Sequence, residues 1–445
     1  MARREELKRE AAASIDDRKE HLVAVGERIF ANPELGYKER ETGELIANEL
    51  EAMGLQVEKN LALTGCKATV RGPKEGPIIG VMGELDAVVC RDHPKAHRET
   101  GAAHACGHHI QLGVMMGVAA GLVGSGVMNE LAGGVSFLAV PAEEYVELGF
   151  RSQLRARGEI GFFGGKQEFL RKGHLDDIDI AISTHSSPDL APHGKKVMIG
   201  SLGTGFVGKH VQYRGKPSHA GAAPEKGVNA LNAAILGLLG IHTQRETFPE
   251  QERIRVHPII TKGGDLVNIV PDDVQLETYV RGFSIEGIRD ANTKVNRALR
   301  AGAMAVGAEV KITEIPGYMP LVNTPDLDAL FKENLLLLLE DNEIVEGGDF
   351  AGSTDFGDIS QIMPSSLAVF GGVNGALHTK DFHLEDPELA YIIPAKAIAF
   401  TIIDLLLDGA GMAQQVIRDF QPKMSKAQYF EFQEEMSREI NWQDE

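Results

Sequence analysis

The sequence predicts an α/β protein: a mostly parallel sheet domain interrupted by a smaller inserted α+β domain of ferredoxin-like type. Three observations predict it. Apolar, buried-looking strands alternate with helical runs towards both ends of the chain, as in a parallel sheet joined by crossover helices. In the middle the order becomes β-α-β-β-α-β over about 115 residues, the size of one small domain. Polar clusters fall at the carboxyl ends of the apolar strands, where ligands gather in open α/β sheets.

In chain order, Ser14-Ile15-Asp16-Asp17 reads as a helix start with Ser14 as N-cap, followed by Leu22, Val25, Ile29 and Phe30 at helical spacing. Asn32-Pro33-Glu34-Leu35-Gly36 breaks that helix. A second amphipathic run through Ile46, Leu50 and Met53 stops near Gly54. Residues 67–70 and 77–85 read as strands, 110–124 as a helix, 134–140 and 178–183 as buried strands. Next come a strand at 203–213, a helix at 227–239, strands at 253–261 and 273–283, a helix at 288–305 and a strand at 309–314. The α/β pattern resumes with a helix at 326–339, a strand at 367–371 and a long helix from Pro394. The expected division is 1–202 plus 319–445 for the main domain and 203–318 for the insert.

Composition narrows the function. Of 445 residues, 43% are hydrophobic and 24% charged, an ordinary globular balance. Lys plus Arg number 45 against 64 Asp plus Glu, a net charge of −19. That acidity argues against a nucleic-acid partner and gives no polybasic attraction to anionic membrane. Cys66, Cys90 and Cys106 form no disulfide framework, and the N-terminus is charged without a signal-peptide core. Residues 110–128 lack charge but are rich in Gly and Ala, and 391–407 contains Pro394, Lys396 and Asp404, so both are read as buried helices rather than membrane spans. A cytoplasmic acidic enzyme is the expectation.

Four polar clusters at or just after strand ends can carry chemistry. Asp86 closes an apolar strand and could orient a metal-bound histidine. His104-Ala105-Cys106-Gly107-His108-His109 opens a helix, and Cys-x-His can hold one metal or bridge two. Glu143 and Glu144 are adjacent, so one could bind metal while the other accepts a proton from bound water. His185 ends a buried strand. His378, in a turn-rich segment near the end, would add a further distant donor. The insert contributes His219 in a turn, Asn268 in a Gly-rich segment, and Arg281 on a strand, a residue suited to bidentate capture of a carboxylate.

Taken together these segments resemble the dinuclear-metal amidohydrolases of the aminoacylase and carboxypeptidase-G clan, in the manner of the branch containing aminobenzoyl-glutamate and auxin-conjugate hydrolases. The resemblance covers nearly the whole chain, and its most specific parts are Cys106-Gly107-His108 and residues 141–144. It implies one or two divalent ions (zinc, manganese, cobalt or nickel) held by Cys106, His108, Glu144, His185 and His378, with the cysteine bridging. It implies Glu143 as general base and Asp86 as support for the metal site. His219 would reach a partner subunit's active site and stabilise an oxyanion, while Asn268 and Arg281 bind a small carboxylate-bearing substrate. A homodimer built through the insert follows from that role.

Two departures stand out. His109 occupies a position where relatives usually carry Asp or Asn, and is read as a substrate-binding group or an extra ligand. Residues 88–103 and 145–162 are longer than in typical relatives, and Arg91, His93, His97, Arg98, Phe150, Arg151, Arg155 and Arg157 are read as shaping the pocket. The leading expectation is a metal-dependent hydrolase cleaving the amide of an N-acyl or aryl amino acid or dipeptide-like substrate. Alternatives are a hydrolytic deaminase of an aromatic amine at the same centre, and a non-catalytic metal-binding homologue.

Overall fold

The computed structural model describes residues 2–350 and 352–443. The chain forms two compact units: Met1–Leu202 with Val322–Asp349 and Asp358–Lys423, and Gly203–Leu321 with Phe350–Gly357 and Met424–Glu445.

The first unit is built on an eight-stranded mixed sheet. Its centre is parallel: Lys74–Glu84 lies between Ala132–Val140 and Ile180–Ser186, and Ser365–Phe370 follows on the far side of the latter. From Ile78 onward in the first, and throughout the other three, these strands are buried and mostly apolar at their centres, because a parallel strand covered on both faces exposes neither row of side chains. Antiparallel strands Val57–Leu61 and Gly65–Arg71 extend one side. Helix His108–Ala119 is wholly buried, and Gly113 and Gly117 let it approach Tyr391 and Ala395 closely. The segment Glu388–Asp419 is long and apolar enough to cross a bilayer, but 89% of its most apolar window is buried in the fold.

Several local expectations change. Ser14 is not a cap: the first helix runs over Ala2–Asp17, and Ser14 Oγ donates to the Ala120 carbonyl at 2.7 Å. The chain breaks instead at Arg18, ahead of Lys19–Ala31. Residues 145–162 contain a helix, Leu148–Ala156, that a charge-rich sequence concealed. The strand expected over 178–183 continues to Ser186, so His185 lies on the strand itself.

In the second unit Asp273–Gly282 and Gly205–Arg214 form the middle of an antiparallel sheet, with Glu309–Pro316 beyond. The short strands Arg255–Val256 and Ile259–Lys262 pair with the outer side of Asp273–Gly282. With helices Ala230–Gln244 and Ile285–Val306 this is the ferredoxin-like order. Glu439–Trp442, from the chain's end, adds a strand beside Glu309–Pro316. The described residues from Met424 onwards therefore cluster with this unit. Glu314 is buried there between Lys209 (2.6 Å), Asn292, Asn296 and Arg438, so a side chain of the C-terminal segment completes its partners.

Candidate metal centre

The first unit brings together groups that are far apart in sequence. Cys106 Sγ lies 3.5 Å from His185 Nε2 and 3.2 Å from His378 Nε2. His378 Nε2 is also 3.2 Å from Glu144 Oε1. Among the described residues three donor groups form, each with its ligand atoms within 4.8 Å: Cys106, His108 and His185; Cys106, Glu144 and His378; Glu84, His108 and Glu143.

Local backbone explains the convergence. Gly107 has φ of +88°, and a Cβ there would meet the Ser186 side chain at 3.2 Å. Glycine thus permits the turn that sets Cys106 and His108 on one side of the helix start. Ala142 (φ +56°) and His378 (φ +61°) hold left-handed conformations that non-glycine residues rarely adopt. The N–H of His378 donates to the Ala105 carbonyl at 2.8 Å, tying the last histidine to the cysteine turn.

Second partners fix the rings. His108 Nδ1 is 2.8 Å from the Asp86 carbonyl, and His185 Nδ1 is 2.8 Å from the Ser186 carbonyl. Each carbonyl requires an N–H at Nδ1, which leaves Nε2 with a lone pair for a cation. Nε2 of His108 lies 3.1 Å from Glu84 Oε2, and Oε1 of Glu144 lies 3.2 Å from His378 Nε2, so each of these buried atoms faces another group able to ligate a cation. The Asp86 carboxylate accepts the Glu144 N–H at 2.8 Å, so it steadies both a histidine and the acid pair.

Electrostatics agree with that use. Burial opposes ionisation of Cys106, yet the neighbouring His108 and His185 rings hold its thiol well below the ordinary value. Hydrogen bonds to Cys106 and Glu144 push His378 up to about 11. Burial and the Cys106 charge push Glu144 up to about 6. A mixed thiolate, imidazole and carboxylate set of this kind fits zinc or another divalent transition ion.

Other residues fall elsewhere. His109 is fully buried, its ring 4.8 Å from Phe30 and 5.6 Å from His104, and it joins none of the donor groups. Consecutive helix positions point about 100° apart, which is why His109 and His108 face different surroundings. Arg91, Arg98, Arg155 and Arg157 are exposed, and His93 is held by the Phe382 carbonyl at 3.0 Å. Arg151 is wholly buried and bonds main-chain carbonyls, so it does not present itself to a substrate. In the second unit, His219 and Asn268 sit on adjoining loops: the His219 main chain bridges Ile269, and the Ala220 N–H donates to the Asn268 carbonyl at 2.9 Å. Arg281 lies over the rings of Phe206 and Tyr279 and donates to Ser353 Oγ at 3.0 Å.

The reading of single residues missed Glu84. Its carboxylate is 3.1 Å from His108 Nε2 and is gripped by Lys166 and Gln111, all three side chains being buried. Its position at the end of an apolar strand, two residues before Asp86, was the available signal.

A largely buried candidate cation site with several donors near the carboxyl ends of parallel strands, flanked by a carboxylate, suits a metal-dependent hydrolase. Residues 80–398 match the model of peptidase family M20/M25/M40, and the chain belongs to that family. It is 30% identical to the Xaa-Arg dipeptidase of Mus musculus over 95% of this chain and 94% of that one. It is 26% identical to an IAA-amino acid hydrolase of Arabidopsis thaliana, covering 93% and 89%. A dinuclear metal-binding M20 peptidase structure from Bacillus subtilis superposes with a TM-score of 0.66 at 21% identity, covering 88% of this chain and 99% of that one. The protein is accordingly a metal-dependent amidohydrolase or peptidase.

Proposed function

We propose that the enzyme hydrolyses the amide of an N-acyl or aryl amino acid, or of a dipeptide-like carboxylate, with Glu143 as general base. The observation that carries this reading is the convergence of Cys106, His108, Glu144, His185 and His378 on one pocket, with the Glu143 carboxylate 3.8 Å from His108 Nε2. Those five residues would hold one or two divalent ions, with Cys106 shared because it occurs in two of the donor groups. When bound, such ions lower the pKa of water and polarise a carbonyl. Glu143 takes a proton from water at its carboxylate and returns it to the leaving nitrogen. Asp86 keeps His108 and Glu144 in register through the contacts described above.

The resemblance supplies the second unit's roles: His219 stabilises the oxyanion in a partner's site, and Asn268 and Arg281 bind the substrate carboxylate. Arg281 supports this with a buried Nε that has no hydrogen-bond partner. A homodimer through this unit is favoured by exposed Ile235, Leu239, Ile259, Ile260 and Val267. The three cysteines are free, in keeping with a cytoplasmic location.

The test is Glu143→Gln, assayed on N-acyl amino acids, dipeptides and aryl amines, with metal content measured in parallel. Full metal content with turnover lowered about 10²–10⁴-fold is expected. Near-wild-type turnover of the variant overturns the base assignment. Ammonia released from an aryl amine without amide cleavage selects the deaminase instead.

A further inference from the structure

The turn Ala142-Glu143-Glu144 carries the proposed base and one proposed ligand, and it is strained at Ala142. Such a conformation persists only where surrounding contacts over-determine it. Those contacts come from two segments that hold none of the proposed ligands.

The first is the break after the second helix. The Glu39 carboxylate is fully buried; Oε1 accepts the Ala142 N–H at 2.8 Å and Oε2 accepts the Thr64 hydroxyl at 2.7 Å. Gly36 lies flush beneath the same turn: a Cβ there would come within 2.9 Å of Ala142 Cα and 2.4 Å of an Arg151 nitrogen. The second is the helix in the long segment after the acid pair. Arg151 Nη1 donates to the Phe163 carbonyl at 2.7 Å and reaches the Ala142 carbonyl at 3.5 Å, while Nη2 donates to the Glu144 carbonyl. The planar guanidinium suits this task because it offers several donors in a fixed fork. An acid thus holds the amide side of the turn and a guanidinium holds its carbonyl side.

We propose that Glu39 and Arg151 are positioning residues, forming a two-sided brace that sets the direction of the Glu143 and Glu144 side chains. The segment 145–162 therefore acts through the main chain of the acid pair rather than by touching substrate. This rests on the reading of Glu143 as base and Glu144 as ligand.

The test compares E39A, E39Q, R151M and R151K in the full-length, metal-loaded enzyme. Metal affinity is measured by chelator competition, and kcat and KM on a substrate found by the amide panel. Misplacing a reacting group by about 1 Å can cost 10²-fold in rate, and removing a ligand's outer support costs about 10–100-fold in metal affinity. E39A and R151M are expected to lose kcat on the order of 10-fold or more, with KM within about twofold and metal bound more weakly. E39Q, which keeps an acceptor for the Ala142 N–H, is expected to restore both quantities. R151K, which cannot span three carbonyls, is expected to remain impaired. If R151M does not fold, the E39A and E39Q pair decides. Metal affinity and kcat unchanged in E39A overturn the brace, as does an E39Q as impaired as E39A. Metal affinity is read without turnover, so the brace is judged through Glu144 even if E143Q retains activity and the base reading falls.

Discussion

Cys106 occurs in two of the three donor groups, with His108 and His185 in one and with Glu144 and His378 in another. If it bridges, Cys106→Ala strips one donor from each of two ions. Structural zinc sites are worth about 10–16 kcal/mol over four ligands, so one donor carries roughly 3 kcal/mol, or about 10²-fold in affinity. His185→Ala is the comparator, because His185 occurs in one group alone. Elemental analysis after dialysis against a graded chelator series reads both variants. C106A is expected to lose both ions over one narrow chelator range, and H185A to lose one and keep the other. C106A retaining two ions within about tenfold of wild-type affinity, or losing a single ion as H185A does, would refute the bridging assignment.

Metal binding should release protons, because His378 is held up to about 11 by Cys106 and Glu144, and His108 is held well above its usual value against burial by Glu84 and Cys106. Affinity is then expected to rise with pH across the neutral range; calorimetry in buffers of different ionisation enthalpy checks it, and identical heats count against it. Glu314 is buried, yet Lys209 and its other partners pull it from 4.5 down to about 2. A depressed folded-state pKa gives stability present above 4.5 and lost as pH falls towards 2. Glu314→Gln should therefore flatten the acid limb of the unfolding profile and cost about 3 kcal/mol at neutral pH by leaving Lys209 unpaired; an unchanged acid limb refutes this. Gly113→Ala places a Cβ 2.4 Å from the Tyr391 ring. Overpacking of that kind costs about 1–3 kcal/mol, and a urea midpoint equal to wild type would show that the helix seat yields.

What could be read in the sequence followed physical periodicity. Central strands such as 134–140 are apolar on both faces and bounded by turn residues, so they stand out whether or not their partners are known. Cys106-Gly107-His108 stands out as a dense cluster, whereas His185 and His378 enter the expected ligand set only through the family resemblance. Side-chain direction and remote strand pairing are less legible. His109 and His108 are neighbours in sequence but face different surroundings on a helix, and Arg151 looks like a pocket cation until its donors are seen to close on main-chain carbonyls. The C-terminal strand was hidden because pairing depends on a remote edge, Glu309–Pro316. Its Trp442 and Ile440 carry too short an alternation to declare a strand alone.

The acids around this site favour a cation. Glu84, Asp86, Glu143, Glu144 and Cys106 are each at most 7% exposed. Buried charge of one sign is tolerated only when paired or metal-bound. Lys166 answers Glu84, and Asp86 is offset by His108 and the nearby Arg151. Beside them the His378, His185 and His108 rings are each held above their usual value by Cys106 and neighbouring carboxylates. A divalent ion held by these residues would supply positive charge to the same acids. The Cys106 turn and the acid turn are thus two parts of one electrostatic requirement. Loosening either, at Cys106 or through the Glu39 and Arg151 brace, should register first in metal affinity and only then in turnover.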